Sequence, residues 1–155
     1  MSAPGRTLLP GEVAVVARGE TLETLLGSCV AVLLNDAART LGGACHVVHA
    51  SPGPDAAHGP QALASLFGQL RARGVDPLRC KAWLVGGGHM FPDLRNRPEM
   101  PDVGAANIRW AREALGSLDI PIVGEEVGGF SYRRVRWTVG DAAPVIEAVA
   151  VGGNP

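Results

Sequence analysis

Short Val- and Leu-rich runs bounded by glycine, interleaved with two segments of helical period, predict an α/β or α+β domain built on a mixed β-sheet. The first observation is a pair of apolar runs, Val30 to Leu34 and Gly42 to Val48, separated by turn residues in the manner of a hairpin. The second is a stripe of Leu63, Leu66, Phe67 and Leu70 at helical spacing, and the third a similar stripe of Ile108, Ala111, Leu115 and Leu118. A purely parallel dinucleotide-binding sheet fits less well: no G-x-G-x-x-G follows the first strand and no GxxxxGK occurs.

Each element has its own signal. Glu12 to Arg18 is Val-rich and punctuated by Gly11 and Gly19, which marks a strand. The hairpin follows; with Asp36 to Arg39 as its loop, Asn35 pairs with Thr40 and Cys29 falls opposite His46. Ser51 to Pro60, with three prolines and two glycines, is a surface loop. Gln61 to Arg73 is a helix stopped by Gly74. Lys81 to Val85 is a short strand running into Gly86-Gly87-Gly88-His89, and Pro92 to Asp102 is a second long loop. Ala105 to Leu118 is helical; Ile120 to Gly124 and Arg133 to Val139 read as strands with Gly128-Gly129 between them, and Val145 to Val151 as a short helix or a strand.

At 155 residues the chain fits one domain over 1–155, large enough to fold without disulfides or a metal. Net charge is −1 and the basic residues are scattered apart from Arg133, Arg134 and Arg136, so nucleic acid is not an expected partner. No apolar stretch approaches the ~20 residues of a membrane span, and Pro4, Arg6 and Pro10 interrupt any signal-peptide core, so a cytoplasmic protein without membrane insertion is expected. Three cysteines without framework spacing read as reduced thiols. With 21 glycines and 12 prolines, turns and tight loops are abundant, and such loops commonly carry function.

The chemistry-bearing segment is Gly27-Ser28-Cys29, a thiol between a small flexible pair and an apolar run, with His46 seventeen residues on. A lone cysteine in apolar surroundings is ordinarily a small buried hydrophobe, and Cys45 and Cys80 are read that way. Cys29 differs: Gly27 and Ser28 let backbone N–H groups turn toward a substrate oxygen, and a histidine lies on the partner strand. His46 is favoured by the pairing, with His49 as the alternative. Thr21, Thr24 and Ser28 are hydroxyls able to orient an imidazole or to bond locally in turns, and Glu20 and Glu23 are carboxylates able to do the same. Gly86 to Gly88 is a tight turn or one wall of the site. A zinc module has suitable atoms in Cys29, Cys45, Cys80, His46 and His49, but neither C-x-x-C nor H-E-x-x-H is present.

Five segments then resemble, in order and spacing, the chemoreceptor glutamine deamidases of the CheD family: Thr24 to Val32 (TLLGSCVAV), His46-Val47-Val48, Lys81 to Phe91 (KAWLVGGGHMF), Val103 to Asn107 (VGAAN), and Gly128-Gly129 followed by Arg133-Arg134. The resemblance implies a single-domain sandwich with a mixed sheet and helices packed outside, similar to the catalytic domains of bacterial glutamine-deamidating toxins. It implies a cysteine hydrolase that converts glutamines of methyl-accepting chemotaxis receptors to glutamates without metal or organic cofactor. Cys29 would be the nucleophile, His46 the general base and Thr24 the third catalytic residue, with Gly27, Ser28, Gly87 and Gly88 forming the oxyanion and substrate loop. Some members bind a CheC-type phosphatase, which makes that protein a candidate partner.

The chain also departs from the family pattern. In some members the catalytic threonine lies six positions before the cysteine, which here is Glu23, so Thr24 and Glu23 both stand as orienters of His46. The glycine-asparagine segment appears as Gly128 to Arg134 with a glycine and an asparagine lost, and Ala106 replaces the usual arginine before Asn107. The rival function is a catalytically silent adaptor that binds receptors or a phosphatase through the same surface.

Overall fold

The computed structural model describes residues 5–91 and 101–150. Its strands are β1 (Arg6–Thr7), β2 (Val13–Ala17), β3 (Thr21–Leu26), β4 (Val30–Asn35), β5 (Leu41–Val47), β6 (Lys81–Gly86), β7 (Ile122–Val127), β8 (Ser131–Thr138) and β9 (Val145–Ala150). The helices are α1 (Gly59–Ala72) and α2 (Val103–Ser117), with a 3-10 turn at Pro77–Arg79. Among the described residues the strands form two mixed sheets, ordered β1-β3-β8-β9 and β2-β5-β4-β6-β7. The parallel pairs are β1 with β3 and β6 with β7.

Side-chain alternation along β4 sorts the core into two layers. Val30, Val32 and Leu34 face the helices and pack with Leu63, Leu66, Phe67 and Leu70 of α1 and with Ile108, Ala111 and Leu115 of α2. Ala31 and Leu33 face the other way and meet Leu22, Leu26, Val135 and Trp137 of the four-stranded sheet. The order is sheet, sheet, helices, and the five-stranded sheet is covered on both faces. Its central strands are accordingly apolar on both sides. Burying each large side chain of the α1 stripe is worth roughly 1.5–3 kcal/mol.

The strands expected at Glu12 to Arg18, Lys81 to Val85 and Arg133 to Val139 are present as β2, β6 and β8, the one expected at Ile120 to Gly124 forms later, as β7 at Ile122–Val127, and both helices form on their stripes. The open choice at Val145 to Val151 resolves as strand β9 over its described part; Val151 lies outside the described residues. Helix α1 begins at Gly59, not Gln61, because Pro60 is tolerated in a first turn, where its missing N–H has no helical partner to lose. Leu118 caps α2 and is exposed instead of extending its buried stripe. Of the loop expected at Pro92 to Asp102, residues 92–100 lie outside the described residues.

The hairpin forms with a different register. Asn35 pairs with Gly42, and His46 faces Ala31, not Cys29. The cause is Asp36, whose carboxylate accepts from the Thr40 amide at 2.8 Å and the Leu41 amide at 3.1 Å, drawing Thr40 into the turn and out of the ladder. Because the shift is two residues, every side chain keeps its face. Strands β1 and β3 carry no expectation above. In β3 the inward positions are Leu22, Thr24 and Leu26, and the threonine in the middle of that alternation masks the strand signal.

Candidate active site

Residues 27–29 are the connector by which the chain leaves β3 in one sheet and enters β4 in the other. Its three carbonyls are each held from behind. Gly88 N–H donates to Gly27 O at 2.9 Å and Gly87 N–H to Cys29 O at 2.8 Å. The Asn107 amide donates to Ser28 O at 3.0 Å. Gly86 must be glycine here: its φ is +110°, and a Cβ would stand 2.3 Å from Cys29 O. Helix α2 begins against the same turn, since a Cβ on Gly104 would lie 2.3 Å from Gly87 O.

The Gly87 and Gly88 amides are thus committed to the connector, so these two glycines brace the cysteine and have no N–H left for a substrate oxyanion. The Ser28 and Cys29 amides, in contrast, donate to no carbonyl among the described residues. Cys29 N–H lies against its own sulfur. Gly88, Ser28 and His89 line a cavity of about 170 Å³ that α2 closes with Asp102, Val103 and Gly104. A cavity of about 190 Å³ floored by Trp83 and Trp137 sits at the β4–β5 turn, at the other end of β4 from Cys29.

His46 is 1 % exposed and occupies the inter-sheet face of β5, on the same face as Ala31 and Cys29. Cys29 stands one residue before β4 and two before Ala31, so continuing the ladder would make it the diagonal neighbour of His46, a relation in which Cα atoms are about 7–8 Å apart. The His46 Nδ1 lies 2.8 Å from Thr24 Oγ1, which comes from the opposite sheet. That hydroxyl donates its one proton to Leu8 O at 2.7 Å, so it accepts from His46. The proton is then on Nδ1 and the Nε2 lone pair is left free. Glu23, the alternative orienter, points out of the sandwich and pairs with Arg136. His49, the alternative base, lies against His58, the rings tilted by 33° with centroids 4.9 Å apart.

Burial sets the charge state of the pair. It pushes the Cys29 thiol above its ordinary pKa, with the residue's own amide offsetting part of the rise. It also pulls His46 below the usual histidine value, against the raising effects of Leu8 O and the Glu12 charge. Both shifts run toward neutral thiol beside neutral imidazole. Cys45 and Cys80, driven by burial to about 12 and about 11, are inert thiols. All three cysteines are free.

Two further residues at the site were not assigned a role from sequence. Arg133 is 7 % exposed and donates to Gly128 O at 2.7 Å and Gly86 O at 3.4 Å, with Glu126 at 3.5 Å, so its buried charge fastens the two glycine turns together. Asn107 is fully buried on the apolar stripe of α2, and a polar residue at such a position was the available signal. Among the described residues no three His, Cys, Asp or Glu side chains converge on a point that holds a metal ion.

The family model described as CheD chemotactic sensory transduction matches residues 41–147, which includes His46 and Asn107 and begins after Cys29. The chain is similar to a protein of Pseudomonas fluorescens (strain SBW25) named probable chemoreceptor glutamine deamidase CheD, 34% identical over 135 residues, covering 83% of this chain and 75% of that one. A protein of the same name in Methanococcus maripaludis (strain C6 / ATCC BAA-1332) is 30% identical over 142 residues, covering 88% of this chain and 90% of that one. Among solved structures, the Bacillus licheniformis hypothetical protein YfiH aligns with a TM-score of 0.40 and 18% identity, over 70% of this chain and 46% of that one. The family match and relatives alike over most of their length lead to one conclusion: the chain belongs to the CheD family.

Proposed function

We propose that this chain is a cysteine hydrolase that deamidates glutamine side chains of methyl-accepting chemotaxis receptors, with residues 1–155 acting as one deamidase domain. The observation that carries the reading is the Thr24–His46 hydrogen bond of 2.8 Å, which leaves Nε2 as a free base on the face that Cys29 shares. The relatives' names supply the substrate class. Chemoreceptor signalling regions are cytoplasmic, so the reading places the protein there; among the described residues no helix is long and apolar enough to cross a membrane.

The reaction follows from the charge state. As Cys29 Sγ bonds to the carboxamide carbon, its proton passes to His46 Nε2, and the carbonyl oxygen becomes an oxyanion. The Ser28 and Cys29 amides, neither of which donates to a carbonyl among the described residues, are the donors we assign to it. The C–N bond then breaks, and His46 returns the proton to the departing nitrogen, which leaves as ammonia. A water attacks the glutamyl thioester while His46 takes its proton; the C–S bond breaks, His46 returns that proton to the sulfur to restore the thiol, and the new carboxylic acid ionises to glutamate.

A neutral pair needs the base during attack and not before it. Removal of either partner should abolish turnover. Purified Cys29→Ala and His46→Ala are expected to release no ammonia from a cytoplasmic chemoreceptor fragment, and its peptides should keep the mass of glutamine. Full activity in Cys29→Ala would sink the reading in favour of another chemistry, and an inactive wild type that still binds the fragment would favour the adaptor. A CheC-type phosphatase is a partner proposed from family resemblance alone, tested by co-elution of the two purified proteins.

A further inference from the structure

Asn107 is the one polar residue on the buried stripe of α2, beside Gly104, Ile108, Ala111 and Leu115. Its Nδ2 donates to Ser28 O at 3.0 Å and to Val48 O at 3.1 Å. Its Oδ1 is buried without a partner. An apolar side chain would avoid that orphaned acceptor but would take the donor from two part-buried carbonyls, so the position is held for its two donors. Both carbonyls matter to the site. Val48 lies two residues past His46, and Ser28 O belongs to the same peptide unit as the Cys29 N–H.

A trans peptide is planar, with C=O and N–H pointing in opposite directions. Fixing Ser28 O against α2 therefore aims Cys29 N–H away from the helix, toward the side where the Cys29 sulfur lies. The neighbouring unit is treated alike: Gly27 O is held by Gly88 N–H at 2.9 Å, which sets the Ser28 N–H. A carbonyl that accepts a hydrogen bond also polarises the N–H of its own peptide and strengthens it as a donor.

We infer that Asn107 is a positioning residue that sets the oxyanion hole from behind, acting through the Ser28–Cys29 peptide without touching substrate. The inference rests on the cysteine-hydrolase reading above and adds to it the element that orients the donors.

The test uses two reactions of Cys29. Amide hydrolysis builds an oxyanion; alkylation by iodoacetamide is a displacement at a tetrahedral carbon and builds none. Wild type, Cys29→Ala and Asn107→Ala, as full chains, are compared for ammonia release from a cytoplasmic chemoreceptor fragment, and wild type and Asn107→Ala also for alkylation of Cys29. Asn107→Ala is expected to lose kcat by about 10²-fold, as removal of one oxyanion donor does, with KM and the alkylation rate within a few-fold of wild type. Unchanged kcat overturns the inference. So does a parallel fall of kcat and alkylation, which would mean that Asn107 only holds thiol and imidazole together.

Cys29→Ala separates this inference from its parent. Activity in that variant, or none in the wild type, fails the hydrolase reading and the inference with it; a dead Cys29→Ala beside a fully active Asn107→Ala fails the inference alone. Where Asn107→Ala does not melt cooperatively, Asn107→Ser, which keeps one donor and leaves room for water, is read in the same two assays. The same split in smaller measure supports the inference, and no split overturns it.

Discussion

The Thr24 hydroxyl and the His46 imidazole meet at 2.8 Å across the interface between the two sheets, and the hydroxyl donates its own hydrogen bond to Leu8 O. A threonine held this way fixes one tautomer of the histidine. Thr24→Val keeps the shape and removes both the acceptor for His46 Nδ1 and the hydroxyl that donates to Leu8 O. It is expected to lower kcat by up to about 10²-fold, within the range a general base supplies. Thr24→Ser should retain most activity, and Glu23→Gln should retain all of it, because Glu23 pairs with Arg136 on the outside. Steady-state ammonia release measures all three.

Thiol reactivity separates Cys29 from its two fellows. Cys29 is half-buried, whereas Cys45 and Cys80 are buried and pushed up to about 12 and about 11. Iodoacetamide at neutral pH, read by peptide mass mapping, should label Cys29 first, and His46→Ala should slow that labelling. Equal, slow labelling of all three would contradict the assigned nucleophile.

The pH dependence follows from two opposite shifts. His46 is depressed below the ordinary histidine value of about 6.5, so the acid limb of kcat/KM should fall below that pH. Cys29 is raised above an ordinary thiol, so activity should hold through the alkaline range until the free thiol ionises. Stability moves with the same histidine. Between its folded and unfolded pKa the unfolded chain binds the extra proton, so stability falls as pH drops through about 6.5 and flattens below the folded pKa. Melting curves against pH should show that loss, and His46→Gln should remove it.

Three helical glycines give opposite signs for one substitution. Gly68 in α1 and Gly116 in α2 have nothing within 4 Å of an added Cβ, so Gly68→Ala and Gly116→Ala should each raise stability by about 0.5–1 kcal/mol. At Gly104 the Cβ meets the Gly87 and Gly88 carbonyl oxygens at 2.3 and 2.6 Å. Backbone atoms cannot turn aside as side chains do. Gly104→Ala should therefore destabilise by about 1–3 kcal/mol and impair activity, through the turn that braces Cys29. Denaturant midpoints decide the signs.

The helices were legible because a buried stripe leaves a period that no neighbour can alter, and β2, β4, β5 and β6 because apolar runs bounded by glycine have little alternative to a sheet. Strand β3 was not, since Thr24 occupies an inward slot that a sequence shows only as a polar residue. The hairpin was legible in its existence and faces, yet its register turned on Asp36 taking the Thr40 amide.

The sequence by itself determined the kind of chemistry available: a thiol after Gly27-Ser28 and a histidine on the next strand, both on one face because side-chain alternation is a local property. Only the tertiary structure decided what completes them. Thr24 reaches His46 from the other sheet, Asn107 reaches Ser28 from 79 residues away, and the Gly87 and Gly88 amides turn out to be spent on the connector. Each is a hydrogen bond between segments brought together by burying apolar faces, and the spacing of residues along a chain holds no record of which distant groups that burial will align.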